Sequence, residues 1–394
     1  MKIALDAVGG DFAPKEVVTG GVRAHRELGV EVVFVGPKAE VDRALTAGGA
    51  GKWAVIEDAP DTIAMDEHPA QAVRVKKESS IVRGIQMVED GRVNAFVSAG
   101  NSGAVMAAAL FGLRRIRGVD RPAIGSPIPT AGGGNAFLLD VGANADARPE
   151  HLLQYAVMGM IYAERLMNIA NPRVALLSNG EESGKGNQLV QAAEPLLKAQ
   201  AGVNFVGNVE GKDVFQGKAD VIVADGFAGN ILIKTAEGVA EFLFRTMRDA
   251  ARGDPIATLG GLLLRPKLRS IRRRADWREF GGALLLGVNG VAVIAHGRSD
   301  GRAIFNAVRV ARDAVQRDVV GTIASAIHAL AIPELQSLKP IEVWRNAKFP
   351  GVYSLLLRTV FQSHDRTLRD DELTQWSTQI IETLTSLGGT LRAA

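Results

Sequence analysis

Residues 219–234 read Ala219-Asp-Val-Ile-Val-Ala224-Asp225-Gly226-Phe-Ala-Gly-Asn230-Ile-Leu-Ile-Lys234. The apolar run 219–224 has the length and composition of a buried strand, and residues 231–244 carry the apolar period of a helix. A glycine-bearing turn joins them. A strand, a glycine turn and a helix start form an anion cradle, because the first N–H groups of a helix lack intrahelical acceptors and its dipole favours negative charge there. Asp225, Gly226 and Asn230 belong to this predicted cradle, and Lys234, in the first turn of the predicted helix, adds a mobile cation. The same order recurs upstream. Residues 93–99 form a strand candidate, followed by Gly100-Asn101-Ser102-Gly103 and a helical run over 104–113. Residues 174–177 form another, followed by Ser178-Asn179-Gly180-Glu-Glu-Ser-Gly184-Lys185-Gly186-Asn187. Three such loops in one chain point to a site for a phosphate-like group.

Working outward, further strand candidates lie at residues 3–5, 30–35, 55–56, 136–141, 203–206 and 290–295, with helical patterns at 14–28 and 150–168 between them. Several are continuous Val/Ile/Ala runs without alternation, as expected where helices cover both sheet faces. Strands and helices taking turns predict a mostly parallel, three-layer α/β sheet.

The 394-residue length allows one large α/β domain plus a smaller piece. The chain has no cysteine, which excludes disulfides, thiolate metal sites and a cysteine nucleophile. Its six histidines show no HxxxH spacing, so no zinc site is expected. A net charge of +3 gives no general case for nucleic-acid binding by the main domain. Met1-Lys-Ile-Ala-Leu-Asp6 starts a strand without a signal-peptide core, and a cytoplasmic location is the expectation.

Two regions break the pattern. Residues 253–279 join an apolar patch (Leu259, Leu262, Leu263, Leu264) to a run containing Arg265, Lys267 and Arg269. This describes either a surface hairpin with solvated cations or an interfacial element with leucines at the headgroup boundary and arginines on anionic lipid. From about residue 333 the alphabet changes, with Trp344, Tyr353 and Trp376 all in the tail. Residues 341–344 and 353–361 read as an antiparallel pair, and a helix is expected from about residue 367 to 387.

Single residues carry competing readings. Asp6, Gly9 and Gly10 at a strand's carboxyl end suit a ligand crevice, or simply a tight turn with Asp11 as a cap. Asn101, Ser102 and Gly103 present an oxyanion site or an ordinary helix cap. Lys185 sits between glycines, but the spacing of a nucleotide-binding phosphate loop is not met. Gly297-Arg-Ser299-Asp-Gly301 matches Gly-x-Ser-x-Gly and is expected to be a turn with Ser299 as a helix cap.

Taken together, these segments resemble the bacterial phosphate acyltransferase family of phospholipid synthesis. The resemblance is carried by residues 1–11, by Ala72-Val-Arg74-Val-Lys76-Lys77-Glu-Ser79-Ser80, by 98–104 and by Leu139-Asp140-Val-Gly-Ala-Asn144. It continues through 180–187, 225–230, Gly281-Gly-Ala and Ala295-His296-Gly, and runs nearly collinearly to about residue 330. It implies transfer of a fatty acyl group from acyl carrier protein to inorganic phosphate, with no metal or nucleotide cofactor. The acyl-phosphate would pass to a membrane glycerol-3-phosphate acyltransferase. It further implies a fold like phosphotransacetylase and the isocitrate/isopropylmalate dehydrogenases, a homodimer, and peripheral attachment to an anionic membrane surface through 253–279.

On this basis Lys185, Lys234 and His296 are the candidate catalytic residues. Asp6, Gly9, Gly10, Asn101, Ser102, Gly103, Asn144, Asn187, Asp225, Gly226 and Asn230 are the candidate substrate- and phosphate-binding set. Arg74, Lys76 and Lys77 are candidate contacts for the acidic carrier protein, or else a solvated helix face. The acyltransferase domain is expected over 1–332. Residues 336–394 resemble the latter half of the ferredoxin-fold anticodon-binding domain that ends the phenylalanyl-tRNA synthetase β chain, which implies a partial appendage over 333–394. The alternatives are an acyl-CoA-dependent enzyme and a degenerate scaffold with a binding role.

Overall fold

The computed structural model describes residues 1–250, 260, 263–264, 276–330, 335–345, 353–361 and 369–386. Two compact units result, Met1–Val320 and Gly321–Ala394.

The first unit is built on an eleven-stranded sheet. Its strands are β1 (Lys2–Asp6), β2 (Glu31–Gly36), β3 (Val55–Asp58), β4 (Ala95–Ser98), β5 (Ala123–Pro129) and β6 (Asn135–Leu139). The remainder are β7 (Val174–Leu177), β8 (Phe205–Val209), β9 (Val221–Val223), β10 (Ala283–Leu286) and β11 (Val291–Ile294). The order across the sheet is β3-β2-β1-β4-β11-β10-β5-β6-β9-β7-β8. Pairing is parallel from β3 to β11 and from β6 to β8, whereas β10 is antiparallel to both β11 and β5, and β5 is antiparallel to β6. The two parallel blocks therefore run in opposite directions and send their carboxyl ends to opposite edges of the sheet.

β4, β9 and β11 are buried along their whole length, which accounts for their unbroken apolar sequence. Phe34, Phe96, Phe137 and Leu138 are fully enclosed. Burial on this scale stabilises by about 1.5–3 kcal/mol per large apolar side chain before entropy is subtracted. The residue Gly226 opens the long helix Gly226–Ala250, five positions earlier than the predicted start at residue 231. The glycines there serve close packing instead of a turn. A Cβ on Gly229 would lie 1.9 Å from the Asp140 carbonyl oxygen, so the helix axis approaches the β6 loop as nearly as a bare backbone allows.

In the second unit, helix Val319–Leu330 is followed by the antiparallel pair Leu335–Arg345 and Tyr353–Phe361 and then by helix Asp370–Ser386. The Trp376 ring packs 5.4 Å from that of Phe361, and Ile380 is buried beneath. The strand Tyr353–Phe361 lies where the sequence places it, whereas its partner starts at Leu335, ahead of the expected residue 341, and the last helix starts at Asp370 and not at about 367.

Candidate active site

The carboxyl ends of β1 and β4 are locked together by a buried carboxylate, and β11 joins them through the Ala295 amide on the Ser98 carbonyl at 2.8 Å. Asp6 is 1% exposed. Its Oδ2 accepts the Ser98 hydroxyl at 2.6 Å and its Oδ1 accepts the Val8 amide at 3.3 Å. Burial pushes the Asp6 pKa up, while the hydroxyls of Ser98 and Ser80 hold it down. Gly9 passes so close that a Cβ would lie 2.3 Å from Asp6 Oδ2. Gly10, at φ 103°, fits between Ala99 and Gly297, and the Asp11 amide donates to the Gly297 carbonyl at 2.7 Å. Asp6, Gly9 and Gly10 thus join three loops, and the Asp6 carboxylate faces inward.

Asn101 caps helix Ser102–Phe111. Its Oδ1 accepts the Ala104 amide at 3.0 Å, and its Nδ2 donates to the carbonyls of Ala64, Met65 and Glu67 at 3.1, 3.2 and 3.1 Å. The side chain is consumed as a staple between the helix start and the segment 62–67. The amides of Ser102 and Gly103 have no acceptor within the helix and form its open end. Segment 62–67 is fixed a second time, because the Glu67 carboxylate accepts the Ala64 amide at 2.7 Å and Lys76 Nζ at 2.6 Å. Lys76 also donates to the Thr62 carbonyl at 2.8 Å, so it is tied inward. Arg74 lies over the Phe111 ring at 5.3 Å; Arg74 and Lys77 are exposed.

The first-quoted stretch behaves differently from its sequence reading. The Gly226 amide donates to the Asn144 carbonyl at 2.7 Å, and Asp225 Oδ1 accepts the Ala228 amide at 2.8 Å. The chain's own oxygens therefore occupy the start of helix Gly226–Ala250. Asn144 donates through Nδ2 to the Pro122 carbonyl and to Asp140 Oδ2, at 2.7 and 2.9 Å. Asn230 packs against Gly142. Asp140, of the segment 139–144, is the centre of this region. It is fully buried and accepts amides from Ile124, Gly142, Ala143 and Asn144. Burial raises its pKa against the pull of those donors.

Helix Gly226–Ala250 then crosses from this loop toward the other edge. Lys234, eight residues from the helix start, stands about 12 Å along the axis, in the third turn and not the first. It is exposed and, with Glu237, Arg298 and Asp11, is one of the charges acting on His296. Arg298 pairs with Glu237 at 3.7 Å and with Glu241 at 3.9 Å. The helix face at 234–241 therefore meets the loop after β11, and Glu237, which the sequence reading omits, was legible only as the residue three after Lys234.

His296 is exposed, yet its partial burial lowers its pKa. The Arg298 amide donates to His296 Nδ1 at 3.3 Å, which leaves the proton of the neutral ring on Nε2. The ring is thus a hydrogen-bond donor at neutral pH. Ser299 is 3% exposed and donates to the His296 carbonyl at 2.6 Å. It is not the cap expected of it. Asp300 fills that role, accepting the amides of Arg302 and Ala303 at 3.1 and 3.0 Å.

Lys185 and Asn187 form a separate group. Asn187 caps helix Gln188–Ala199 through the Val190 amide at 2.9 Å, and the exposed Lys185 packs beside Gly180. Glu194 anchors this loop, accepting Ser183 Oγ at 2.6 Å, Lys198 Nζ at 2.7 Å and the Gly184 amide at 3.2 Å. Among the described residues no hydrogen bond or ion pair ties the loop to Asn101 or Lys234. Lys198 and Ser183 hold the Glu194 carboxyl down at about 2. A depressed carboxylate stabilises above its unfolded pKa and loses that contribution as pH falls through the folded one. The expected outcome is that proteolysis at 180–187 accelerates between about pH 4.5 and pH 2, and that Glu194→Gln abolishes this step.

A cavity of about 670 Å³ lies elsewhere, lined by Tyr162, Arg173, Asp220, Glu279, Arg309 and Asp313 among others; no predicted site residue borders it. Of the predicted membrane contacts, Leu263 and Leu264 are 73% and 57% exposed, whereas Leu259, Leu262, Arg265, Lys267 and Arg269 lie outside the described residues.

The β1–β4–β11 end thus offers two open amides, a cation and a neutral imidazole donor, a set able to hold an anion and to stabilise a developing oxyanion. Comparison with known proteins gives that chemistry a family. The fatty acid synthesis protein model matches residues 1–322, and the ferredoxin-fold anticodon binding domain model matches 314–392. The second match begins ahead of residue 336, where the tail resemblance starts, so helix Val319–Leu330 falls within it. The chain is 48% identical over 332 residues to a phosphate acyltransferase of Pelotomaculum thermopropionicum, covering 84% of this chain and 96% of that protein. It is 50% identical over 329 residues to one of Heliobacterium modesticaldum, covering 83% and 98%. In structure it resembles a phosphotransacetylase from Streptococcus pyogenes (TM-score 0.58, 17% identity, 80% of this chain and 94% of that one). It also resembles a branched-chain phosphotransacylase from Enterococcus faecalis (TM-score 0.53, 13% identity, 80% and 99%). These two likenesses establish the fold, as the sequence resemblance anticipates.

Proposed function

The chain belongs to the fatty acid synthesis protein family, whose curated relatives are phosphate acyltransferases, and we propose that it moves a fatty acyl group from acyl carrier protein to inorganic phosphate. The protein is an acyltransferase with phosphate as acceptor; the donor, the site and the assembly are the proposal. A phosphate oxygen attacks the thioester carbonyl carbon, the C–O bond forms and the carbonyl oxygen becomes an oxyanion. Collapse breaks the C–S bond and releases a thiolate, which takes its proton from solvent. Phosphate is already anionic, so positioning and charge balance are the main demands. The amides of Ser102 and Gly103 with Lys234 hold the phosphate, and His296 Nε2–H donates to the oxyanion. The observation that carries this assignment is the open helix start at Ser102, since the one at Gly226 is filled by Asn144 and Asp225.

Arg74 and Lys77 offer the acidic carrier an exposed cationic edge. The product, a mixed anhydride, is an activated acyl donor suited to a membrane glycerol-3-phosphate acyltransferase. Helix Gly226–Ala250 exposes Phe227, Ile231, Val239 and Phe242 by 64, 51, 51 and 66%. A second copy of the chain covers this stripe in the proposed homodimer, and the exposed Leu263 and Leu264 meet the membrane. No described helix is long and apolar enough to cross one.

The test is acyl-phosphate formation from palmitoyl-(acyl carrier protein), with palmitoyl-CoA compared in parallel and the mass of the same preparation checked for twice 41.8 kDa. Equal use of both donors would favour the CoA-dependent alternative, and no product from either would leave a binding scaffold. Lys234→Ala should raise the phosphate KM about tenfold, the loss of one charge-assisted hydrogen bond. Lys185→Ala should not. The reverse pattern would move the phosphate to the 180–187 loop.

A further inference from the structure

Met65 is 53% exposed, and its carbonyl accepts from Asn101 Nδ2 at 3.2 Å. Asn101, itself 6% exposed, donates to its carbonyl and to those of Ala64 and Glu67, while the Lys76–Glu67 pair closes segment 62–67 from the other side. The methionine is thereby fastened to the helix start that carries the open amides of Ser102 and Gly103. Its methyl group reaches the other wall of the site, where a Cβ on Gly297 would lie 3.3 Å from Met65 Cε. The Asp11 carboxylate borders the same point at 3.7 Å, and the next residue, Phe12, is 51% exposed.

Single exposed apolar side chains are common and need no explanation. Met65 differs in that the backbone entropy of segment 62–67 is given up to hold a half-exposed apolar group at the rim of the site. That expenditure makes sense if the group meets an apolar ligand. Methionine suits such a contact because it is unbranched and polarizable and adapts to chains of varying path.

We propose that Met65 is a specificity-determining contact for the acyl chain of the substrate. The chain leaves the carbonyl beside His296, runs past the Gly297 loop and lies along the exposed face of Met65, with Phe12 as the opposite wall. The proposal rests on the acyl-transfer reading of this site.

The experiment measures kcat/KM of the full chain with butyryl and palmitoyl thioesters, on both acyl carrier protein and CoA, for the wild type, Met65→Ser and Met65→Leu. Because Met65 is exposed, the variants should fold, which the thermal melting curve checks. The expected result is that the palmitoyl-to-butyryl ratio falls about tenfold in Met65→Ser and is retained in Met65→Leu, the size of discrimination that a few methylenes on an apolar wall supply. An unchanged ratio in Met65→Ser overturns the proposal. So does an equal loss with both chain lengths; if confined to carrier-borne donors, that loss would assign Met65 to partner contact. Failure of the acyl-transfer reading looks different: the wild type then forms no acyl-phosphate from any donor, and the proposal falls with it.

Discussion

Asp140→Ala should lower the stability of the first unit by about 2–4 kcal/mol, because five N–H donors lose one shared buried acceptor. The carboxylate accepts amides at 3.3, 3.1 and 2.8 Å on Oδ1 and, on Oδ2, the Asn144 amide at 2.8 Å and its side chain at 2.9 Å. Alanine leaves those donors without their acceptor; the Ile124 amide is buried, whereas exposed Gly142 can turn to water, and each donor left unpaired away from water costs about 1–3 kcal/mol. The loop also sets the start of helix Gly226–Ala250 through the Asn144 carbonyl, so activity should fall together with stability. A urea titration of the unit's transition gives the answer if the slope stays constant. A change below about 1 kcal/mol would mean that the loop is held by its glycine packing alone.

The second large effect is on catalysis. Asn101→Ala removes the cap of helix Ser102–Phe111 and all three tethers to segment 62–67. The cap costs about 1 kcal/mol of stability. The greater loss is positional, because displacement of a catalytic group by about 1 Å costs about a hundredfold in rate. kcat/KM for acyl-phosphate formation should fall 10²- to 10³-fold, roughly the cost of one oxyanion donor. Asn101→Asp should be at least as damaging. It keeps the capping oxygen but turns the Nδ2 donor into an acceptor facing three carbonyls. Activity within threefold of wild type in either variant would remove the Ser102 helix start from the mechanism.

Much of the architecture could be read from the chain because parallel strands covered on both faces leave continuous apolar runs, as in β4, β9 and β11. β5 and β10 escaped, and for physical reasons. β5 contains Gly125, Pro127 and Pro129, which argue against a central strand. The structure tolerates them because β10 pairs only with residues 123–125, so both prolines lie beyond its reach. β10 is four residues long and follows Gly281-Gly282. Missing these two strands meant missing the reversal between the blocks. The site was legible in part. The Asn101 loop could be found because strand, glycine and cap stand in sequence. The filling of the Gly226 helix start could not, because the oxygen that plugs it comes from Asn144, distant along the chain. The tether from Lys76 through Glu67 to Asn101 was invisible for the same reason: it exists only once two segments meet.

The reversal gives helix Gly226–Ala250 the character of a gauge. One end is seated by Gly229 on the β6 loop, and Lys234 is read out at the opposite block. An inserted residue between them turns Lys234 by about 100° and lifts it by about 1.5 Å. The five positions from Gly229 to Lys234 are thus fixed in number as well as in kind, and the phase of a single helix decides whether a cation carried by one parallel block faces the proposed anion site of the other.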